Sequence, residues 1–285
     1  MRLILLTLLT MTAFAANSLL TRAAVEPGHI TPQGFAILRV AAGALTLGAL
    51  VALRGGALPL LRLARLPGAV SLALYMTGFS LAYITLDAGL GALILFGVTQ
   101  IVMFLHGAVT GAPPTRRQIA GATLAFAGLA LVLWPTRGAV SDPVGAALMV
   151  AAGIGWGIYT IVGRGAGDPL AATAANFILC LPLVVLALAA YGFEANAYGV
   201  SLSLFSGAAT SGLGYALWYT ILPRMKGATA AVVQLSVPII AILGGAVLLG
   251  EAVSATVLIA TVLVLGGIGW AVTAPRPKAA RADRR

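Results

Sequence analysis

Tyr75, Phe79 and Tyr83 stand four residues apart, and Tyr215, Trp218 and Tyr219 form a second aromatic group far downstream. A spacing of four puts side chains on one face of a helix. Rings aligned in this way either wall a cavity or face the lipid. As a wall they offer apolar contact and an attraction of roughly 0.5–2 kcal/mol to an ammonium group. As an interfacial belt they anchor helix ends, a reading that suits Tyr83 and Tyr219, which fall near the ends of their apolar runs. Trp156 stands one turn before Tyr159, where it can join the same wall. Asn17, Gln100, Tyr159 and Gln234 bring hydrogen-bonding groups into apolar runs. Lipid cannot satisfy them, so they face either other helices or a wet cavity. These groups suit non-covalent recognition. A membrane-embedded enzyme needs paired catalytic groups at depth, and no His/Asp pair or dyad of aspartates is available, so catalysis is not expected.

The charges point the same way. All seven acids, Glu26, Asp87, Asp142, Asp168, Glu194, Glu251 and Asp283, fall in loops, at helix ends or in the tail. An intramembrane carboxylate is the usual carrier of proton coupling, so tight coupling to protons or sodium is not expected, with Glu251 and His106 the remaining candidates. His106 lies toward the end of its apolar run, where a lone histidine serves either packing or coupling. Arg39 is the one charge well inside a span, at a cost of roughly 2.5–3.5 kcal/mol on insertion scales. It sits roughly two turns from a helix end, so it either snorkels to the surface or serves a gate or an anion. No metal-binding or nucleotide-binding motif occurs, and no cofactor is expected.

The elements that must position these residues are membrane helices. Hydrophobic residues make up 60% of the chain and charged residues 8%, with a mean hydropathy of +1.04. That composition excludes a soluble globular domain. Alternating polarity, the mark of a membrane barrel, is absent. Apolar runs bounded by Arg, Pro, Gly or acids predict ten spans, at 3 to 22, 31 to 53, 67 to 86, 89 to 110, 116 to 134, 143 to 163, 169 to 190, 198 to 220, 227 to 248 and 254 to 273. With the N-terminus inside, 14 of the 17 basic residues fall on the cytoplasmic side. Both termini are therefore expected in the cytoplasm, and the net charge of +10 reflects topology and a lipid-facing tail, not a nucleic-acid partner. Met1-Arg2, Leu3 to Leu9 and Ala13-Phe14-Ala15 also fit a cleavable leader. Removing the first span would, however, put the basic tail on the wrong side, so a retained span is expected.

The first span also has an echo. FAANSLLTRA (14–23) aligns with WGIYTIVGRG (156–165), matching Phe14 to Trp156, Ser18 to Thr160 and Arg22 to Arg164, with Asn17 opposite Tyr159. At an offset of 136, Tyr75, Phe79 and Tyr83 face Ser211, Tyr215 and Tyr219, and Gly91-Ala92 faces Gly227-Ala228. Arg39 has Asn176 near its matching position. Two halves of five spans follow, 1–137 and 138–274, with a basic cytoplasmic tail at 275–285. Because five is odd, consecutive homologous halves enter the membrane from opposite sides, which makes an inverted repeat. The expected fold is an all-α membrane protein of ten transmembrane helices in two inverted five-helix repeats.

With the aromatic-small-x-x-hydroxyl-x-x-x-Arg pattern ending the first span of each half, and GGAVLLGEAVSATVLIATVLVLGGIGWAV over 244–272, the chain resembles the drug/metabolite transporter superfamily, EamA family. The first half departs at Ala112, where the second has Glu251. Length and aromatic-rich central spans further resemble a bacterial amino-acid exporter. The resemblance implies an inner-membrane carrier that exports small metabolites, neutral or aromatic amino acids first among them. It implies a small-molecule substrate and the lipid bilayer as partners. On that reading Asn17, Tyr75, Phe79, Tyr83, Gln100, Trp156, Tyr159, Tyr215, Trp218 and Gln234 bind substrate, while Arg39, His106 and Glu251 are gating or structural charges.

Overall fold

The structure, a computed structural model, describes residues 2–110, 115–133, 142–163, 167–188, 192–224 and 233–272. Ala112, Arg164, Gly227 and the basic tail lie outside them. Helices α1 (Arg2–Val25), α2 (Pro32–Leu53), α3 (Leu66–Ala82), α4 (Ala88–Val109) and α5 (Arg116–Leu133) are followed by α6 (Pro143–Gly163) and α7 (Pro169–Leu188). Next come α8 (Ala197–Phe205), a π-helical stretch (Ser206–Leu213) and α9 (Gly214–Ile221), which run on with helical backbone at both junctions. Helices α10 (Ser236–Leu248) and α11 (Ala255–Val272) complete the set.

Five helices, α1, α2, α4, α6 and α7, are long and apolar enough to cross a membrane. Of the rest, α5 and α11 lie within a residue of the expected 116 to 134 and 254 to 273, and three spans depart. Helix α3 ends at Ala82, short of the expected 86, and α10 begins at Ser236, after a break in the helix at Leu235. The expected eighth span is divided by the π-helical stretch.

Local chemistry explains where helices begin. Pro32, Pro143 and Pro169 each open a helix, a position where the missing N–H costs nothing and φ is already set. The Thr31 hydroxyl accepts from Gly34 N–H and the Asn196 amide oxygen from Gly199 N–H. Asp142 accepts from Val144 and Gly145, and Asp168 from Leu170 and Ala171. Asp142 and Asp168 thus cap the helices that follow them, a stabilising place for negative charge. Within the helices, Thr7, Thr10, Thr21, Thr160, Thr173, Thr220 and Thr261 hand their hydroxyl protons to the carbonyl four residues back. A polar side chain can in this way be carried in an apolar medium.

Packing joins early helices to late ones. Helices α2 and α7, α4 and α10, and α5 and α11 pack directly on one another. Helix α3 packs on α6 and α7, while α1 packs along α8, the π-helical stretch and α9, and α2 packs on α8 and that stretch. Helix α4 packs on α6, and α1 on α10. Two glycines set the approach of α5 and α11: a Cβ at Gly121 would stand 2.5 Å from the Gly267 carbonyl oxygen, and one at Gly267 would stand 2.6 Å from that of Gly121. Gly266, next door, faces open space. Gly121→Ala is accordingly expected to lower the melting temperature in detergent, at an overpacking cost of about 1–3 kcal/mol. Gly266→Ala is expected to leave it unchanged.

Candidate functional site

Where α1, α3, α4, α6 and α9 converge, the rings close on one another. Trp156 is the hub, with ring centroids 5.0 Å from Tyr215, 5.2 Å from Tyr75, 5.6 Å from Tyr159 and 5.8 Å from Phe14. Phe14 reaches Tyr215 at 5.6 Å and Trp218 at 5.8 Å, mostly edge to face, the arrangement the ring quadrupole favours. Phe79 links Tyr75 to Tyr83, and Phe177 from α7 backs Tyr215. Between the rings lies a space walled by Phe14, Asn17, Ser18, Tyr75, Phe79, Leu95, Phe96, Trp156 and Tyr215. Its free volume is about 10 Å³, room for roughly one water. A ligand of any size therefore requires the helices to part.

Polar atoms around this space lack partners. Trp156 Nε1 and Trp218 Nε1 are buried with no hydrogen bond among the described residues. Buried polar groups are seldom left unsatisfied, and in hydrocarbon each omission is costly. The pair of indole donors beside the space marks where a ligand or water belongs.

A polar chain runs behind the wall. Asn17 Oδ1 accepts from Ser206 Oγ at 3.0 Å, Thr210 Oγ1 at 2.5 Å and Ser211 Oγ at 3.2 Å. The three hydroxyls reach it because the π-helical stretch widens the helix at that level, as such stretches often do at functional sites. Ser211 Oγ in turn accepts from Arg39 Nε at 2.9 Å. Arg39 Nη2 donates to the Tyr75 hydroxyl at 3.0 Å, and the guanidinium carbon stands 4.8 Å from the Phe79 ring centre and 5.5 Å from that of Tyr75. Gly207 makes room for this contact, since any Cβ there would collide with the Arg39 carbonyl.

Five residues expected to bind substrate, Asn17, Tyr75, Phe79, Trp156 and Tyr215, line the space, and Tyr159 and Trp218 pack against its rings. Two alternatives are corrected. Arg39 is 0% exposed, so it does not snorkel. Tyr83 is 0% and Tyr219 5% exposed; both are covered by neighbouring helices and neither forms part of an interfacial belt. The Tyr83 hydroxyl donates to the Ala88 carbonyl at 3.3 Å, and Tyr219 packs on Tyr159. Gln100 and Gln234 are buried but not among the lining residues. His106 is exposed in the last turn of α4, away from the rings. Phe96 and Phe177 were not singled out from the sequence. Phe14 carried a signal, its pairing with Trp156.

Glu251 belongs to a second cluster. Its Oε1 accepts from Ala88 N–H at 2.7 Å, capping α4 from the α10–α11 loop, where Asp87 makes no side-chain cap of its own. Arg22 stands between the acids, 3.5 Å from Asp87 and 3.6 Å from Glu251, and donates to the carbonyls of Tyr83 and Ile84. Helices α1, α3 and α4 and the α10–α11 loop are thereby clasped together. Burial pushes the Glu251 carboxyl above its ordinary range, outweighing the Ala88 N–H and the Arg22 charge, while Asp87 adds to the rise. A carboxyl raised in the clasped state favours that state when protonated, and this contribution is lost as pH rises through the raised value. Glu251→Gln removes the titration but keeps the acceptor for Ala88. The melting temperature of the wild type, relative to Glu251→Gln, is expected to fall as pH rises from the ordinary carboxylate range toward neutrality; a flat difference would contradict this sign.

Residues 143–273 match the EamA-like transporter family. An uncharacterized protein of Pseudomonas aeruginosa is 45% identical over 278 residues, which cover 96% of this chain and 96% of that protein. An uncharacterized transporter of Archaeoglobus fulgidus is 23% identical over 210 residues, 70% of this chain and 74% of its own. A protein solved by crystallography shares the fold with a TM-score of 0.68 at 21% identity, over 94% of this chain and 98% of the other. The chain thus carries an EamA-like transporter family domain over residues 143–273.

Proposed function

We propose that the chain is an alternating-access carrier of two inverted five-span halves that exports small amphipathic metabolites, neutral and aromatic amino acids first among them, across the inner membrane. The observation that carries this reading is the aromatic space itself: rings from α1, α3, α4, α6 and α9 enclose a nearly shut volume edged by unpartnered polar atoms. The inverted repeat is supported by packing that comes in matched pairs. The contact of α3 with α6 has its counterpart in that of α1 with the α8–α9 rod, and α4 on α6 has its counterpart in α1 on α10. Substrate held between such halves meets one face or the other as they rock. The clasp at Arg22 closes the end that the charge distribution assigns to the outside. Among the described residues no acid lines the space, which favours a facilitator driven by the substrate's own gradient.

Reconstitution into liposomes tests this. Counterflow of labelled neutral or aromatic amino acids is expected, and it is expected to persist when a protonophore collapses the pH gradient. Absence of counterflow for every amino acid in a panel, with a folded sample, would overturn the substrate reading. Abolition by the protonophore would overturn facilitation.

A further inference from the structure

Arg39 is a fully buried cation for which the described residues offer no carboxylate. Its nitrogens have different fates: Nε is taken by Ser211 and Nη2 by Tyr75, while Nη1 is buried with no partner among the described residues. An unpaired charge is costly in apolar surroundings, and more so in a membrane. Neutral hydroxyls and ring faces offset that cost only in part.

The guanidinium is tied to the aromatic space on three sides. It touches Tyr75 and Phe79 directly and reaches Asn17 through Ser211, and all three of those residues line the space. The other unpartnered atoms there are biased in the same direction. The indole Nε1 atoms of Trp156 and Trp218 can only donate. Donors gathered around an unpaired cation call for a ligand group with lone pairs and negative charge. An ammonium group would meet the Arg39 charge and find no acid to offset it.

We propose that Arg39 is the anion-binding residue of this site, and that the ligand is recognised through a carboxylate on an apolar, ring-sized body. This rests on the reading of the aromatic space as a substrate site. When the helices part, the carboxylate takes the Nη1–Nη2 edge of the guanidinium, displacing the Tyr75 hydroxyl, in the two-point geometry that guanidinium and carboxylate share. The body lies among Phe14, Trp156 and Tyr215. An amino group adds nothing to recognition, so monocarboxylates without one bind as well as the corresponding amino acids.

Trp156 and Trp218 report occupancy by fluorescence, which separates binding from transport. The purified protein is titrated with 3-phenylpropionate and with phenylethylamine, which share the ring and differ in the head group. Saturable quenching by the acid is expected, with the amine at least about tenfold weaker, the scale of one buried charge-assisted hydrogen bond. Arg39→Met is expected to weaken the acid by a similar factor. Ser211→Asp gives up the hydrogen bond donated to Asn17 Oδ1 but places a carboxylate of the protein's own beside Arg39 Nε, and it is expected to do the same, so the test stands even if Arg39→Met fails to fold. Equal quenching by the amine, no binding of the acid, or unchanged affinity in Ser211→Asp would overturn the proposal. Binding of the acid without any counterflow would instead remove the carrier reading and leave the carboxylate site in place.

Discussion

Trp156→Ala is expected to reduce transport by roughly tenfold to a hundredfold, the scale of losing two or more ring contacts of about 0.5–1.5 kcal/mol each. Trp156 touches Phe14, Tyr75, Tyr159 and Tyr215, so its removal deprives the ligand of a wall and lets the remaining rings collapse into the gap. Emptying so large a buried site costs stability as well, about 3–5 kcal/mol for a Trp→Ala change. Expression and a melting curve must therefore accompany the flux measurement. Trp156→Phe separates the two effects: it keeps a ring at the hub but loses Nε1, an atom with no partner among the described residues. Folding is expected to survive that change and transport to fall by a smaller factor. Unaffected transport in both Trp156→Ala and Tyr75→Ala would make these rings packing residues and nothing more.

The second large effect is expected at Asn17. Its Oδ1 gathers three hydroxyls from the π-helical stretch and, through Ser211, steadies Arg39. Asn17→Leu preserves bulk but leaves the Ser206 and Ser211 hydroxyls without their acceptor in an apolar interior, at about 1–3 kcal/mol for each donor left unsatisfied, while Thr210 keeps the Ser206 carbonyl. Loss of transport and a lower melting temperature are expected together. Asn17→Asp is the more telling change, because a carboxylate accepts the same hydroxyls and brings a negative charge one hydroxyl away from Arg39. Its melting temperature is expected to match or exceed the wild type while transport falls, since the cation then has a partner that does not leave. Full transport by Asn17→Asp would show that the polar chain behind the wall is scaffolding.

How much of this was legible follows from the range of each signal. Helices declare themselves locally: apolar runs ended by Pro, Asp or Arg gave α1, α2, α4, α6 and α7 nearly at their observed bounds. Tyr75 and Phe79 were readable from their spacing, and Trp156 from its match with Phe14, because one helix face is a local property. Arg39 stood out as the lone charge in a span, but its neighbours Ser211 and Phe79 are set by packing between distant segments. Tyr83 and Tyr219 show the limit of depth judged from position along a helix. Both lie near helix ends, yet α4 covers the first and α6 the second. The π-helical stretch carried no legible period: SGAATSGL is simply small and polar, and its widening depends on Asn17 and on the close approach of Gly207 to α2. Glu251 looked like a loop residue, and it caps a helix that begins 163 positions earlier in the chain.

The central claim, that the aromatic space lies on the substrate path and opens to each side in turn, is tested most directly by labelling. Cys180 is the chain's single cysteine, so Leu95→Cys in a Cys180→Ala background places the only thiol in the wall of the space. In sealed vesicles of known orientation, a membrane-impermeant maleimide is expected to modify that thiol from the outside and, separately, from the inside, with transported substrate slowing both reactions. A transport-competent variant whose thiol reacts from neither side, or reacts at a rate indifferent to substrate, would contradict it.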